Sequence, residues 1–257
     1  ELLRLGASVL KVQQQLLQLA PTPAAQADAI ASVVGTRVTL AAKALSASVL
    51  ISRLWGVKDC AQLVAQARSL SEVGSEGAAQ LAERIALSLT AQEIPALILG
   101  DLAHEEVIMR ATPLFSLLLQ TRRLDEPTLR LLWSACATKS TAVSKQAASL
   151  LCEILRHRAC PDELQTALLD AVGAACADGA SEGLAGLLNS LAESVYRQRT
   201  SPDAERFALM LWRLLALPPK SVSAPTRASL EATLVLLLHA APHERRLQGV
   251  LAAARPL

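Results

Sequence analysis

Aromatic residues are scarce in this chain, which has two Phe, three Trp and one Tyr among 257 residues. Proteins that bind single-stranded nucleic acid usually stack bases on aromatic side chains and follow the phosphates with a basic groove. Here the net charge is only +2, and like charges form no run longer than a pair, such as Arg122–Arg123. The sequence therefore predicts no nucleic-acid partner.

Long apolar runs are also missing. The longest purely aliphatic run, Leu234–Leu238, is far shorter than the ~20 residues that span a bilayer. The polar faces of the helical segments are not notably basic, which disfavours a helix lying in the membrane interface. The chain begins at Glu1, without an initiator Met or a signal-peptide pattern. We expect a segment of a longer, cytoplasmic protein with no membrane partner.

Phosphate-binding and metal-binding motifs are absent from the sequence. It contains neither G-x-x-x-x-G-K-[ST] nor a G-x-G-x-x-G after a strand. Cys152, His157 and Cys160 read C-x4-H-x2-C, but zinc needs a fourth ligand and none lies nearby. The cysteines are odd in number and sit in apolar helical contexts, which predicts buried thiols in a reducing compartment. They are Cys60, Cys136, Cys152, Cys160 and Cys176.

The polar residues that catalysis would need have no catalytic context. A nucleophilic Cys needs a nearby His held by a third group, and none of His104, His157, His239 and His243 is so placed. The carboxylate pairs Glu105–Glu106 and Asp125–Glu126 begin predicted helices, where they complement the helix dipole. We predict no catalytic, cofactor-binding or metal-binding residue, and no small-molecule ligand.

What the chain does have is Leu and Ala, with 52% hydrophobic residues in all, which favours helices. In the segment 129–155, Leu129, Leu132, Trp133 and Cys136 recur with helical spacing. Pro127 suits the start of that helix. A polar turn at 138–141 separates it from a second apolar stripe. We therefore interpret Trp133 and the thiols of this segment as packing residues.

The same pattern predicts further helices along the chain. Breaks are expected at Pro21–Pro23, Gly56, Gly74–Gly77 and Gly100, and Pro113 should kink or split the helix that contains it. The segment 37–54 is apolar nearly all round and is expected to lie between neighbouring helices. The predicted helices before residue 125 are 2–19, 24–34, 37–54, 58–70, 76–89, 92–98 and 102–121. Later apolar stripes follow Pro161 and occupy 184–195, 207–215 and 230–238.

The spacing of these helices predicts an all-α fold built as an α-solenoid of stacked helix pairs. Helices begin near 102, 142, 180 and 226, and HEAT and armadillo repeats span about 40–47 residues. One helix pair cannot bury its own stripe, whereas stacked pairs share a core. We divide the chain into an N-terminal helical part, 1–100, and helical repeats, 101–257. A globular helical bundle is the alternative architecture.

Several motifs between residues 92 and 245 resemble the N-terminal helical region of the fat facets-type ubiquitin-specific proteases, the group that includes the X-linked ubiquitin-specific protease nine. In that family a Leu-His pair opens a helix, a later helix carries Leu-Trp, a Lys lies in the next turn, and Leu-Leu and Leu-Trp pairs follow. Thr138 and Ser140 stand where the family has Gly and His. The corresponding residues are Leu102–Ala103–His104, which is one residue longer than the pair, and Leu132–Trp133, Lys139, Leu150–Leu151 and Leu211–Trp212.

This resemblance implies a parent enzyme that removes ubiquitin by cysteine hydrolysis, with its catalytic domain elsewhere in a very long chain. Nothing in the 257 residues resembles the Cys box or the His box of that domain. The chain would then be a non-catalytic scaffold that binds substrates or regulators of the ubiquitin system. The alternatives are an α-solenoid module of an unrelated adaptor or trafficking protein, and a self-contained helical enzyme or ligand carrier.

Overall fold

The structure of the protein is a computed structural model. It describes residues 2–138, 140–157, 160, 186–189, 192, 210–212, 215–216 and 223–240. Within these ranges the protein is all-α, with no strand, as the sequence predicts. We number the helices with defined bounds α1 to α9. They are α1 (Leu2–Gln18), α2 (Pro23–Leu45), α3 (Leu50–Glu72), α4 (Ala78–Ala91), α5 (Ile94–Leu99), α6 (Glu105–Gln120), α7 (Glu126–Thr138), α8 (Thr141–Arg156) and α9 (Ala224–Ala240).

The chain forms two compact units, Glu1–Ala135 and Cys136–Leu257. The first unit is built around α2 and α3, which pack against each other. Helix α2 also contacts α1, α4 and α5, and α3 also contacts α4 and α6. Helix α2 is thus covered on several sides, and Val34, Val38, Ala41 and Leu45 in its second half are all fully buried. The expectation that the segment 37–54 lies between neighbouring helices is therefore confirmed for its α2 part, but it is wrong at Val49 and Ile51, which are 57% and 71% exposed.

The predicted boundaries of α2 and α3 are wrong. The sequence predicts a helix break between residues 34 and 37, and another at Gly56, but α2 runs through the first position and α3 through the second. The actual break lies at 46–49. There the backbone N–H and the hydroxyl of Ser46 both donate to the Ala42 carbonyl, at 3.0 and 2.9 Å, and close the last turn of α2.

Gly56 lies inside a helix because two helix backbones approach each other there. A Cβ atom built on Gly56 would lie 2.8 Å from the Ala41 carbonyl oxygen, closer than real Cβ contacts allow. Gly56 itself is buried. Glycine therefore serves close packing of α3 on α2 at this position and does not end the helix.

Helix α6 remains one helix although Pro113 lies inside it. Proline has no N–H to donate to the carbonyl four residues earlier, that of Met109. The Thr112 hydroxyl donates to this carbonyl instead, at 3.5 Å. The predicted stripe of α6 is confirmed, since all its members are buried: Val107, Ala111, Phe115, Leu118 and Leu119.

Helices α7 and α8 match the prediction made from residues 129–155. The Asp125 carboxylate accepts the Thr128 N–H at 3.0 Å and caps α7 just before Pro127. The hydroxyl of Ser144, in the first turn of α8, donates to the Cys136 carbonyl near the end of α7. Of the six predicted core positions of α8, Leu155 is half-buried and the other five are buried: Val143, Ala147, Leu150, Leu151 and Ile154.

Within the second unit, the helical residues 186–189 contact α9. The Asn189 side chain donates to the Ser229 hydroxyl at 3.0 Å and accepts from the Thr233 hydroxyl at 2.6 Å. Leu187 and Leu188 are buried, as are Leu230 and Leu234 on α9. The predicted helix that follows Pro161, and Cys176 within it, lie outside the described residues.

Candidate functional site

The residues that carry the family resemblance have structural roles where the structure describes them. His104 precedes α6, and its Nδ1 accepts the Glu106 N–H at 3.2 Å, so it caps this helix. Glu105 and Glu106 occupy the first turn, where their charges complement the helix dipole. The prediction of a helix-end histidine and helix-start carboxylates is confirmed here.

The Leu-Trp and Leu-Leu pairs contribute unequally to the core. Leu132 is buried, whereas Trp133 is only half-buried and keeps part of its indole at the surface. Leu150 and Leu151 are both buried, as is Leu211, while Trp212 is half-buried. Lys139, the turn lysine, lies outside the described residues. Trp133 is therefore less deeply packed than its place in the apolar stripe indicates.

Of the cysteines, Cys60, Cys136 and Cys152 are buried, Cys160 is half-buried, and Cys176 lies outside the described residues. Burial, with the neighbouring Asp59 carboxylate adding to it, raises the pKa of the Cys60 thiol to about 12. Burial likewise raises the pKa of the Cys136 thiol to about 12, with a further contribution from Cys152. A nucleophilic cysteine needs the opposite shift, toward the thiolate near neutral pH. Cys60 and Cys136 are therefore unsuited to covalent catalysis.

No three His, Cys, Asp or Glu side chains cluster with the geometry of a metal site in the described part of the chain. Of the C-x4-H-x2-C residues, Cys152 is buried, His157 follows the last residue of α8, and Cys160 is half-buried. Of the remaining histidines, His239 lies on α9 and His243 lies outside the described ranges. None of the helices in those ranges is both apolar enough and long enough to traverse a bilayer.

The most polar part of the core is a cluster that the sequence reasoning missed. We call it the Arg37 cluster; its members are Gln13 on α1, Arg37 on α2, and Asp59 and Gln66 on α3. Arg37 is 1% exposed and Asp59 is 4% exposed. The guanidinium binds the Asp59 carboxylate through two parallel hydrogen bonds, Nη2 to Oδ1 at 2.6 Å and Nε to Oδ2 at 3.1 Å.

The remaining donors of Arg37 connect the cluster to α1. Nη1 donates to Gln13 Oε1 at 2.6 Å, and Gln13 Nε2 donates to Gln66 Oε1 at 3.0 Å. A buried charge is tolerated only when its hydrogen-bonding groups are satisfied, and the cluster meets this condition by joining three helices. The sequence signal for it was an Arg and an Asp that each precede an apolar residue of a predicted helix, Val38 and Cys60.

A second buried guanidinium, that of Arg53, caps the end of α2. Its Nε donates to the carbonyl of Leu45, the last residue of α2, at 3.2 Å. Its Nη2 is buried and has no hydrogen-bond partner in the described chain, and burial lowers the pKa of the guanidinium. The cation lies at the negative end of the α2 dipole, which compensates part of the cost of burying it.

One exposed surface is apolar to an unusual degree. On α1 and its final turn, Leu5, Val12 and Leu19 are 48%, 48% and 81% exposed. They are spaced by seven residues, so they lie in one row along the helix. We call this the α1 row. Among the features described here, it is the best candidate for binding another molecule.

No protein-family model, curated protein or solved structure gives a significant match to the chain. The resemblance to the ubiquitin-specific proteases therefore depends on the motifs quoted from the sequence.

Proposed function

We propose that this chain is a non-catalytic helical scaffold segment of a large ubiquitin-specific protease, in which it positions substrates or regulators of the ubiquitin pathway. In this proposal the chain folds as an α-solenoid of the HEAT or armadillo type. The protein that contains it is located in the cytoplasm. The proposal needs a chain whose polar residues stabilise helices and whose apolar surface binds proteins.

The observation that carries the proposal is the packing order of the first unit. Helix α1 contacts α2, α2 contacts α3 and α4, α3 contacts α4 and α6, and α4 contacts α6. Each helix thus packs on helices that follow it closely in the chain. Such near-neighbour packing is how repeat proteins build a continuous core from units that are unstable alone.

The uses of the polar residues also support a scaffold. His104 caps a helix, two thiols have raised pKa values, and the Arg37 cluster is sealed in the core. The motifs between 92 and 245 supply the link to the ubiquitin system. An interaction scaffold needs no convergent catalytic groups, only a rigid framework and an exposed surface that binds a partner.

Ubiquitin carrying a thiol-reactive group at its C-terminus tests this function. We expect no labelling of the 257-residue chain, because its sequence resembles neither the Cys box nor the His box of the protease domain, and burial raises the pKa values of the Cys60 and Cys136 thiols. The full product of the gene that encodes the chain should be labelled at a cysteine outside these residues.

Two results would contradict the proposal in different ways. Labelling of the isolated chain would show that it is itself an enzyme. A full-length protein that is not labelled and contains no Cys/His protease domain would favour the alternative, in which the chain is a helical module of an unrelated adaptor or trafficking protein.

A further inference from the structure

Helix α1 has a wider apolar surface than it needs for its own packing. Its buried face consists of Gly6, Gln13 and, just beyond its end, Ala20. These residues are also spaced by seven, and Gln13 belongs to the Arg37 cluster. The α1 row, Leu5, Val12 and Leu19, lies to one side of this face. A second set of apolar residues, only half-buried, connects the two rows: Leu2, Val9 and Leu16.

Together these residues repeat at alternating steps of three and four. Leu2, Leu5, Val9, Val12, Leu16 and Leu19 have the spacing of a coiled-coil seam. From Leu5 to Leu19 the row is about 21 Å long at 1.5 Å per residue. Leu19 still belongs to the helical turn, since its N–H bonds to the carbonyls of Gln15 and Leu16 at 3.3 and 3.2 Å. The surface therefore has the length and periodicity that a helix of about four turns would cover.

The charge beside the α1 row indicates what kind of helix fits. Arg4 and Lys11 are exposed, lie seven residues apart and border the row on its solvent side. The α1 sequence Leu2–Gln18 contains no Asp or Glu. Neither cation forms an ion pair with a residue that the structure describes. Flanking charges choose the partner in helix pairs, so these two cations favour an acidic one.

We propose that the α1 row binds an amphipathic helix of a partner protein whose apolar heptad row is flanked by Asp or Glu. This deepens the scaffold function proposed above and depends on it. A second copy of α1 is disfavoured because it would bring Arg4 and Lys11 near like charges. An anionic membrane is disfavoured because Arg4 and Lys11 would each contribute only about 1 kcal/mol to the membrane-binding free energy. The protein itself also covers part of the apolar face of α1, which a membrane would need to contact.

Two designed peptides test this inference on the full 257-residue chain. Both have 21 residues with Leu at the heptad a and d positions; one has Glu at e and g, the other Lys. Fluorescence anisotropy, at peptide concentrations below self-association, should show that the Glu peptide binds about tenfold or more tightly than the Lys peptide at low salt. High salt should narrow this difference, since the Debye length shrinks.

Matched variants identify the surface. Leu5→Gln/Val12→Gln, at exposed positions, should weaken binding of the Glu peptide about tenfold or more, as loss of central apolar contacts does. Leu87→Gln, at a position on α4 that is 46% exposed, should leave it unchanged. Arg4→Glu/Lys11→Glu should reverse the preference so that the Lys peptide binds more tightly. Far-UV circular dichroism should be the same for all variants.

Several results would overturn the inference. These are absence of peptide binding, equal binding of the two peptides, and binding that survives Leu5→Gln/Val12→Gln. The inference also fails if the same substitutions abolish self-association of the chain, or binding to phosphatidylserine-containing vesicles, in place of peptide binding. Failure here leaves the ubiquitin-probe result untouched, so the scaffold function and the binding surface are tested separately.

Discussion

At the scale of single residues, the Arg37 cluster is the most demanding feature of the molecule. Two opposite charges, 22 positions apart in sequence, are buried on neighbouring helices and joined by paired hydrogen bonds. Removing ions from water costs several kcal/mol each, and good geometry repays this only when both partners are present. We therefore expect the cluster to specify the registry of α1, α2 and α3 more than it adds net stability.

A double-mutant cycle measures this coupling. We expect Arg37→Met or Asp59→Leu alone to lower the free energy of unfolding by about 3–5 kcal/mol, because each leaves an unpaired buried charge. Arg37→Met/Asp59→Leu should cost clearly less than the sum of the two. Urea denaturation followed by circular dichroism gives the three values. Additive costs would mean that the two side chains act independently.

The thiols give a second prediction, for alkaline pH. The pKa of Cys60 is about 12 in the folded chain against an ordinary value of 9.0. Between these values the unfolded chain has lost the proton while the native chain retains it, so the native state loses stability as pH rises above 9. A thiol of this kind contributes a slope of up to about 1.4 kcal/mol per pH unit. Below pH 9 it contributes none.

Cys60→Val should therefore remove the contribution of about one proton to the slope of the unfolding free energy against pH between pH 9 and 11. Between pH 7 and 8.5 the slope should be the same as in the wild-type chain. The measurement is the free energy of unfolding in urea at a series of pH values. Leu63→Val, a nearby buried substitution without a titrating group, is the control and should keep the wild-type slope. An unchanged slope in Cys60→Val would mean that this thiol ionises equally in both states.

At the scale of helices, glycine has opposite effects at two positions of the α2–α3 pair. Gly56 on α3 lies against the Ala41 carbonyl, whereas a Cβ on Gly35, within α2, would have no atom within 4 Å. The first glycine allows the helices to approach closely. The second is exposed and only weakens its helix, because glycine loses more backbone freedom on folding than alanine.

Substituting alanine at each position separates these roles. Gly56→Ala should destabilise the protein, because overpacking costs about 1–3 kcal/mol and outweighs the helix propensity gained. Gly35→Ala should stabilise it by about 0.5–1 kcal/mol. Thermal unfolding of the two variants, compared with the wild-type chain, gives both signs. If both substitutions raised the stability, helix propensity alone would govern the two positions.

At the scale of the whole molecule, the solenoid and the globular bundle differ in size. A compact globule of 257 residues has a radius of gyration of about 18 Å. We expect a clearly larger value from small-angle X-ray scattering of the monomeric chain, since stacked helix pairs extend along one axis. A value near that of the globule would favour the bundle and remove the solenoid from the proposed function.

The sequence was sufficient for the helices whose ends are chemically marked. Asp125 and Pro127 begin α7, His104 begins α6, and a glycine at a positive φ of 72°, Gly74, follows α3. It was insufficient between α2 and α3, where apolar residues lie on both sides of the break at 46–49 and no Gly or Pro marks it. The candidate surface was missed as well, because each member of the α1 row also fits a buried stripe.

The sequence by itself thus determined that the chain is helical and which residues recur with helical spacing, because these depend on contacts within one turn or two. Tertiary structure alone decided that Gly56 belongs inside a helix, that Arg37 pairs with Asp59, and that Leu5, Val12 and Leu19 stay exposed. Each of these depends on which helix lies alongside. That choice is made by long-range packing, which local spacing does not encode.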